Sequence, residues 1–209
     1  MAYFPFYVEL KDVSVLIVGG GKVALHKVKR ILHYGPKIKV VAKKVDERIK
    51  NIKGVEWEER EFEDSDVEGV RFVIAAAGDE ELDEHITSLC NDKGIFINVV
   101  DVKDKCDFIF PSVVSRGKLE IGISSSGASP RITTLLAGEI DSILPDNIEE
   151  ILDYLEKLRP YAKQKISNDV LRARFLSYMA ELTYSRRNIP DDEELEKILN
   201  KFLNPIETI

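Results

Sequence analysis

The 209-residue sequence lacks any long run of apolar residues and any run of basic residues. A membrane-spanning helix needs about 18 or more consecutive apolar residues, and no stretch approaches that length. The opening residues, MAYFPFYVELKD, also lack the basic flank and the long apolar stretch of a signal peptide. We therefore expect a cytoplasmic protein without a membrane partner. The net charge of -7 and the absence of a basic tract argue against a nucleic-acid partner.

Cysteine and histidine are scarce too, with two cysteines and three histidines in the whole chain. Cys90 and Cys106 lack the paired C-x-x-C spacing of a structural zinc site, and reduced thiols are their expected state. The histidines are scattered along the chain, so we expect each of them to have a structural or solvent-facing role. The sequence therefore predicts no metal site.

The most informative stretch is a buried-strand pattern that runs into three glycines and then into a helix. Residues 15–18 have the continuous apolar character of a central parallel strand. The spacing Gly19-x-Gly21-x-x-Ala24 that follows is a variant of the dinucleotide-binding fingerprint. Gly19 permits a tight turn, Gly21 lets the backbone approach a pyrophosphate, and Ala24 permits close packing of helix on strand. The cofactor-binding candidates here are Gly19, Gly20, Gly21, Lys22 and Val23.

One feature of this region argues against a dinucleotide. An acidic residue that holds the ribose hydroxyls should follow the second strand, 38–41, but Ala42, Lys43 and Lys44 follow instead. Either backbone and loop groups hold the ribose, or the lysines favour a 2'-phosphate, or no nucleotide binds. Under the first two alternatives, Ala42 and Lys43 are further cofactor-binding candidates.

Strand and helix patterns alternate along the first half of the chain. Further strands are predicted at 6–10, 55–59, 71–77 and 95–100. This alternation predicts parallel pairing with right-handed crossovers, so the carboxyl ends of the strands should open on one side of the sheet. Residues 19–21, 76–78 and 98–101 should then line the same opening. Ala76 and Ala77 are small enough to let a cofactor come close, so they join the cofactor-binding candidates.

The character of the chain changes beyond residue 101. Short strands are predicted at 108–111 and 119–123, and Ser129 should cap a helix that starts at Pro130. The rest of the chain is almost wholly helical in pattern. We therefore predict an α/β fold, in which a Rossmann-like parallel sheet is followed by a small segment and a helical C-terminal module.

Several separated motifs occur in an order that identifies a family. They are N-V-V-D at 98–101, C-D-F-I-F-P at 106–111 and I-S-S-S-G-A-S-P at 123–130. Together with the opening F-P-F-Y-V-E-L-K-D and the glycine turn, these motifs resemble the precorrin-2 dehydrogenases of the siroheme synthase type, including the dehydrogenase-chelatase portion of the bacterial enzyme. The resemblance covers essentially the whole chain.

This resemblance implies the NAD-dependent oxidation of precorrin-2, a tetrapyrrole, to sirohydrochlorin in siroheme biosynthesis. Some members of the family also insert ferrous iron, and the sequence leaves that second activity open. The resemblance further implies a homodimer. Each subunit would consist of an NAD-binding Rossmann domain at 1–111, a dimerisation segment at 112–145 and a helical C-terminal module at 146–209. Family members often lack the acidic residue after the second strand, which weakens the objection raised by Ala42 and Lys43.

Asp101 is the candidate catalytic residue, because the essential aspartate of the family falls on it by its place in the N-V-V-D motif. A carboxylate just past a buried strand could accept a proton from the substrate as hydride leaves to NAD, if burial tunes its basicity. The alternative is that Asp101 only caps the turn. Asn98 is a further cofactor-binding candidate, which could hydrogen-bond the nicotinamide or hold the loop.

The polar loop before the predicted helix start is the candidate substrate-binding segment, and it consists of Ser124, Ser125, Ser126 and Gly127. Its N–H groups and hydroxyls, with the helix dipole, suit an anion, and precorrin-2 carries many carboxylates. A net-acidic protein must concentrate positive potential locally to accept such a substrate. Cations that could supply this potential are Lys103, Lys105, Arg116, Lys118 and Arg131.

Two other hypotheses belong to different functional classes. The first is a non-catalytic Rossmann module that senses a nucleotide and regulates a partner. Such modules usually keep the acidic ribose contact, and a DNA-binding repressor would carry a basic helix-turn-helix; this chain has neither feature. The second is a structural dimer with a vestigial fold, which measurable NADH formation would exclude.

Overall fold

The apolar run at residues 15–18 forms the middle strand of a five-stranded parallel sheet. A computed structural model describes residues 3–204, and these residues divide into two units with the boundary between Phe110 and Pro111. The strands of the first unit are β1 (Ser14–Val18), β2 (Lys37–Ala42), β3 (Val55–Glu59), β4 (Phe72–Ala75) and β5 (Phe96–Val99). Their spatial order is β3-β2-β1-β4-β5, as in a doubly wound dinucleotide-binding sheet.

Helices cover both faces of this sheet. They are α1 (Lys22–Ile31), α2 (Glu47–Lys50) and α3 (Glu80–Lys93), with single turns at Leu32–Tyr34, Asp64–Val67 and Lys103–Lys105. Ile17 is buried in a cluster that includes Val28 of α1, and Leu16 is buried in a second cluster that includes Ile86 of α3. Successive strand residues point to opposite faces, so β1 is apolar throughout because both of its faces are covered.

The second unit combines a β-hairpin with four helices. Its elements are β6 (Ser112–Arg116), β7 (Leu119–Ile123), α4 (Pro130–Ile143), α5 (Ile148–Lys165), α6 (Asp169–Arg186) and α7 (Asp192–Leu203). Helix α4 lies against the hairpin, where the hydroxyls of Ser112 and Thr133 are 2.8 Å apart. Helices α5 to α7 share an apolar core around Phe175 and Met179, both fully buried.

The predicted Rossmann-like sheet and the predicted helical character of the C-terminal part are confirmed. Ser129 caps α4 by accepting a hydrogen bond from the Ile132 N–H at 3.3 Å, and Pro130 is the first helical residue, as expected. The functional division of the chain at residues 111 and 146, with dimerisation assigned to 112–145, stays a prediction.

Two strand predictions are wrong. Within the described residues, 6–10 form no strand, and the side chains of Phe6 and Tyr7 are largely exposed. The strand expected at 108–111 begins later, at Ser112. The alternation of Phe108 and Phe110 has another cause, because both rings pack against the cluster around β1 and α1 without a strand partner.

Candidate active site

The ends of β1, β4 and β5 lie side by side at one edge of the sheet. Val18 is paired with Ala75, and Ala75 is paired with Val99, so the residues that follow these three positions leave the sheet together. The Ala76 N–H donates to the Val18 carbonyl at 2.7 Å, and the Val100 N–H donates to the Ala75 carbonyl at 2.9 Å. The predicted convergence of residues 19–21, 76–78 and 98–101 is therefore confirmed.

Gly19 and Gly20 are required by the packing of the turn itself. The backbone of Gly19 has φ +119°, and an added Cβ would lie 2.3 Å from the Ala76 carbonyl oxygen. A Cβ on Gly20 would lie 2.3 Å from the Lys44 carbonyl oxygen. The Asp46 N–H also donates to the Gly20 carbonyl at 2.8 Å. The turn is therefore held between the end of β4 and the loop that follows β2.

Gly21 is different, because its missing side chain leaves open space. A Cβ there would meet nothing within 4 Å, and its φ of -89° is accessible to any residue. Gly21 is the N-cap of α1, where no side chain caps the helix and the first turn contains no acidic residue. The first N–H groups of α1 have no partner within the helix, so the helix start attracts an anion. A dinucleotide pyrophosphate fits this site.

The other cofactor candidates border the same edge. Lys22 and Val23 are exposed in the first turn of α1, and Ala77 is exposed after β4. Ala42 ends β2 and its carbonyl accepts the Arg60 N–H at 2.9 Å. Lys43 is exposed, with its ammonium 3.0 Å from the Glu61 carboxylate.

Asp101 occupies an unusual backbone conformation at the end of β5. Its φ is +64°, in the left-handed region that non-glycine residues seldom adopt, although Asp and Asn tolerate it best. The Val102 N–H donates to the Val99 carbonyl at 3.3 Å, which closes a turn with Asp101 in its centre. Such conformations cluster at functional sites, although they also occur at helix ends, as at Arg187 after α6. Asp101 is exposed in the single chain, so its carboxylate is not buried by the chain itself.

Asn98, by contrast, is buried, and its amide is engaged by other parts of the first unit. Its Nδ2 donates to the Phe108 carbonyl at 2.9 Å, and its Oδ1 lies 3.5 Å from the Lys27 ammonium. The Cys106 thiol is 3.5 Å from Nδ2 and donates to the Val99 carbonyl at 3.2 Å. Of the two roles expected for Asn98, these contacts favour holding the loop.

Lys27 is a member of this site that sequence reasoning missed. Its ammonium lies 3.9 Å from the centre of the Phe110 ring, a distance at which a cation and an aromatic face attract each other. Burial, followed by the nearby Arg30, lowers the pKa of Lys27, and electrostatic interactions with Cys106 and Asp101 oppose that shift. Lys27 is therefore a half-buried cation, and the candidate catalytic carboxylate contributes to the field around it.

The serine loop of the second unit is organised by its own hydroxyls. Ser124 Oγ accepts from the Ser126 N–H and Ser125 Oγ accepts from the Ser129 N–H, both at 3.0 Å. Ser126 and Gly127 both have left-handed backbones, with φ of +52° and +85°. A hydroxyl that accepts a backbone hydrogen bond keeps its own hydrogen to donate. The loop can therefore offer O–H and N–H donors to an anion.

Several of the cations proposed for the substrate are already paired. Arg116 holds Asp141 through two bonds of 2.8 and 2.9 Å, and Lys118 lies 2.7 Å from Asp153. Lys105 lies 3.1 Å from Glu84. These contacts fix the hairpin to its neighbouring helices, and the first-unit loop to α3. They make Arg116, Lys118 and Lys105 weaker candidates than Lys103 and Arg131, for which the structure records no ion pair among residues 3–204.

Residues 3–204 contain no group of three or more His, Cys, Asp or Glu side chains that could hold a metal ion. In the same part of the chain, every helix is too short or too polar to span a membrane.

The parallel sheet, its strand order and the glycine turn define a Rossmann-type dinucleotide-binding domain. The family model described as "Putative NAD(P)-binding" matches residues 6–112. The chain belongs to this NAD(P)-binding family, in the type that forms the N-terminal part of siroheme synthases.

The sequence relatives extend this match beyond the first unit. A siroheme synthase of Thioalkalivibrio sulfidiphilus is 35% identical over 212 residues, which cover 98% of this chain and 43% of that protein. Siroheme synthase 1 of Klebsiella pneumoniae is 34% identical over 178 residues, covering 84% of this chain and 38% of the relative. This chain thus spans about two fifths of the length of these relatives.

The fold as a whole also matches a solved structure. SirC, a precorrin-2 dehydrogenase, superposes with a TM-score of 0.75 at 22% sequence identity, covering 97% of this chain and 100% of that chain. The two proteins share a fold over their whole length.

Proposed function

We propose that this protein oxidises precorrin-2 to sirohydrochlorin with NAD as the hydride acceptor. The observation that carries the proposal is the adjacency of β1, β4 and β5 at one sheet edge, which brings the open start of α1 to the same edge as Asp101. The similarity to siroheme synthases over 98% of the chain supports the same chemistry.

The dinucleotide would lie against the glycine turn. The pyrophosphate would approach Gly21, where there is room for it, and accept hydrogen bonds from the first N–H groups of α1. Ala76 and Ala77 would lie beside the nicotinamide of the dinucleotide. The loop at Ala42 and Lys43 would lie beside its ribose. When bound, the nicotinamide supplies the hydride acceptor of the reaction.

Asp101 would serve as the proton acceptor. Conversion of precorrin-2 to sirohydrochlorin removes two electrons and two protons, which leave as one hydride and one proton. The carboxylate of Asp101 would take that proton, and its exposed position leaves it accessible to a macrocycle. The left-handed turn would aim the carboxylate outward from the sheet edge.

The serine loop would bind carboxylates of the substrate. Ser124, Ser125 and Ser126 present hydroxyl hydrogens, and the start of α4 follows directly with its own N–H groups and dipole. Because these donors are neutral, the positive potential for an acidic substrate would come from the start of α4 and from Arg131 in its first turn.

We also propose that the active form is a cytoplasmic homodimer. One face of α4 exposes an apolar stripe at Ile132, Leu135, Leu136 and Ile143, with relative exposures of 51%, 45%, 41% and 67%. A contiguous apolar surface of this kind is typical of a subunit interface. The stripe lies within the segment 112–145, for which the family resemblance implies dimerisation.

An anaerobic absorbance assay with precorrin-2 and NAD tests the proposal. The spectrum should change to that of sirohydrochlorin while NADH appears in equal amount. If the protein binds NADH but does not reduce NAD in the presence of precorrin-2, a nucleotide-sensing module becomes the better explanation. Ferrous ion added as a substrate after oxidation is complete shows whether the same chain also inserts iron, since the spectrum of the metal-free ring would then change again.

A further inference from the structure

Lys27 and Asn98, which lies three residues before Asp101, form a polar contact that we call the clamp. Lys27 lies in α1 and Asn98 in β5, 71 residues apart in sequence, and the Lys27 ammonium is 3.5 Å from the Asn98 Oδ1. We propose that this clamp is a positioning device for Asp101: Lys27 orients the Asn98 amide, and the amide holds the end of β5 to the returning segment at Phe108. Only the kinetic consequence of this inference rests on the proposed function.

The first support is the complete engagement of the Asn98 side chain. The oxygen of an amide accepts hydrogen bonds and its nitrogen donates them, so the neighbouring groups determine the orientation of the amide. The Lys27 ammonium can only donate, so it selects Oδ1 as its neighbour. Nδ2 is then directed at the Phe108 carbonyl, 2.9 Å away. Without the ammonium, the amide would lose the partner that acts on Oδ1 and keep the two that act on Nδ2, the Phe108 carbonyl and the Cys106 sulfur.

The second support is the unusual setting of Lys27. Among residues 3–204, no carboxylate lies within 4.0 Å of its ammonium, so Lys27 is not part of an ordinary surface ion pair. Its contacts are the Phe110 ring and the Asn98 oxygen, in a half-buried position that lowers its pKa. Keeping a cation there has a desolvation cost. A positioning role explains why a lysine, rather than an apolar residue, occupies this place.

The third support is the short path from the clamp to Asp101. Asn98 is followed by Val99, whose carbonyl accepts both the Val102 N–H at 3.3 Å and the Cys106 thiol at 3.2 Å. These bonds close the turn in which Asp101 adopts φ +64°. A strained turn persists only where its surroundings fix it. The clamp anchors both ends of that loop, at Asn98 and at Phe108.

Kinetics with precorrin-2 and NAD provide the first test. Lys27→Met keeps an unbranched chain over the Phe110 ring but removes the charge. We expect its kcat to fall about 10- to 100-fold, the scale of loss that follows a small misplacement of a reacting group. The dissociation constant for NADH and the KM for precorrin-2 should stay within about twofold, which corresponds to less than 1 kcal/mol. Lys27→Arg should recover most of kcat, and Lys29→Met, on an exposed position of the same helix, should match the wild type.

Amide hydrogen exchange provides a second test that needs neither substrate nor turnover. Exchange across residues 99–107 should accelerate in Lys27→Met, but not in Lys27→Arg or Lys29→Met, while exchange in β1 and β2 stays unchanged. If Lys27→Met does not fold, Lys27→Gln replaces it in both tests. A wild type that fails to oxidise precorrin-2 would refute the proposed function and leave this comparison valid. The clamp is refuted by unchanged exchange in the loop, or by a loss of NADH binding that accompanies the loss of turnover.

Discussion

Gly19 lies so close to Ala76 that a Cβ on the glycine would be 2.3 Å from the alanine carbonyl oxygen. Real Cβ atoms do not approach a backbone oxygen to this distance, so β1 and β4 can run side by side into the turn only because position 19 has no side chain. At Gly21, two residues later, an added Cβ would have no neighbour within 4 Å. The two glycines therefore have separable roles.

The first prediction contrasts these two glycines. Gly19→Ala should unfold at a lower urea concentration than the wild type, because both the contact with Ala76 and the φ of +119° oppose a side chain. Gly21→Ala should lower the urea midpoint only slightly, because alanine is a poorer N-cap than glycine but its methyl group meets nothing within 4 Å. It should bind NADH about tenfold more weakly, or by about 1.4 kcal/mol, because the methyl group fills the space proposed for the pyrophosphate. Fluorescence titration with NADH measures the second effect. Wild-type affinity in Gly21→Ala would show that the anion does not approach this residue.

The second prediction concerns Asp101. Asp101→Asn should reduce precorrin-2 oxidation by about 100-fold or more, the lower end of what loss of a general base costs. The fold should persist, because asparagine also tolerates the left-handed conformation at φ +64°. NADH affinity and the urea midpoint should be unchanged. Asp104→Asn, an exposed carboxylate in the same loop, is the matched control and should keep full activity. Near wild-type oxidation by Asp101→Asn would remove it as the base.

The third prediction is a pH dependence of stability that arises from Asp66. This carboxylate is buried beside β2 and β3, where Arg60 donates to it at 2.5 and 2.8 Å and Lys39 lies at 3.2 Å. The Arg60 guanidinium lowers the pKa of Asp66 from 3.8 to about 2. The unfolded chain thus binds the proton more readily than the folded chain does. The stabilisation, about 2 kcal/mol, is complete above about pH 5 and is lost progressively as the pH falls through about 2.

Urea unfolding of Asp66→Asn and of the wild type, followed from pH 7 to pH 3, checks this dependence. The variant should be less stable at pH 7, and the difference between the two proteins should shrink as the pH is lowered. Asp92→Asn, an exposed carboxylate on α3, is the control and should follow the wild type at each pH. A difference that stays constant down to pH 3 would mean that Asp66 stabilises the fold by packing alone.

The fourth prediction concerns the apolar stripe on α4. Leu135→Asp should convert the proposed dimer to a monomer, because a carboxylate in an apolar interface cannot be desolvated cheaply. Helical content should be retained, since Leu135 is 45% exposed in the single chain. Sedimentation analysis gives the mass, and circular dichroism gives the helix content. Val170→Asp, at a more exposed apolar position on α6, should leave the mass unchanged. If both variants keep the wild-type mass, the stripe on α4 is not the interface.

The parts of the fold that depend on local patterns were predictable from the sequence. The run at 15–18 is apolar at every position because α1 and α3 cover opposite faces of the sheet, and such a run indicates a central strand. Ser129 and Pro130 mark the start of α4 through backbone rules that act within one turn. Strand polarity alone puts Gly19, Ala76 and Asp101 at the same edge of the sheet once the strands are assigned, and the strand order then makes β4 the neighbour of both β1 and β5.

Features that depend on long-range packing were not predictable. Lys27 looks like one more polar residue of an amphipathic helix, and only the return of the chain at Phe108 and Phe110 brings it into the site. The strand predicted at 108–111 was wrong for a related reason. Aromatic residues that alternate along a chain are typical of strands. Here the alternation reflects rings that pack on the first core.

The contact between Gly20 and the Lys44 carbonyl fixes the main chain just beyond β2, while the side chains of Lys43 and Lys44 are exposed and Lys43 makes an exposed ion pair with Glu61. Main-chain rigidity combined with interchangeable side chains is what an engineer seeks when altering coenzyme selectivity. An acidic or an uncharged residue could be installed at either lysine without disturbing the framework. The preference between the phosphorylated and unphosphorylated coenzyme could then be tuned independently of the rest of the molecule.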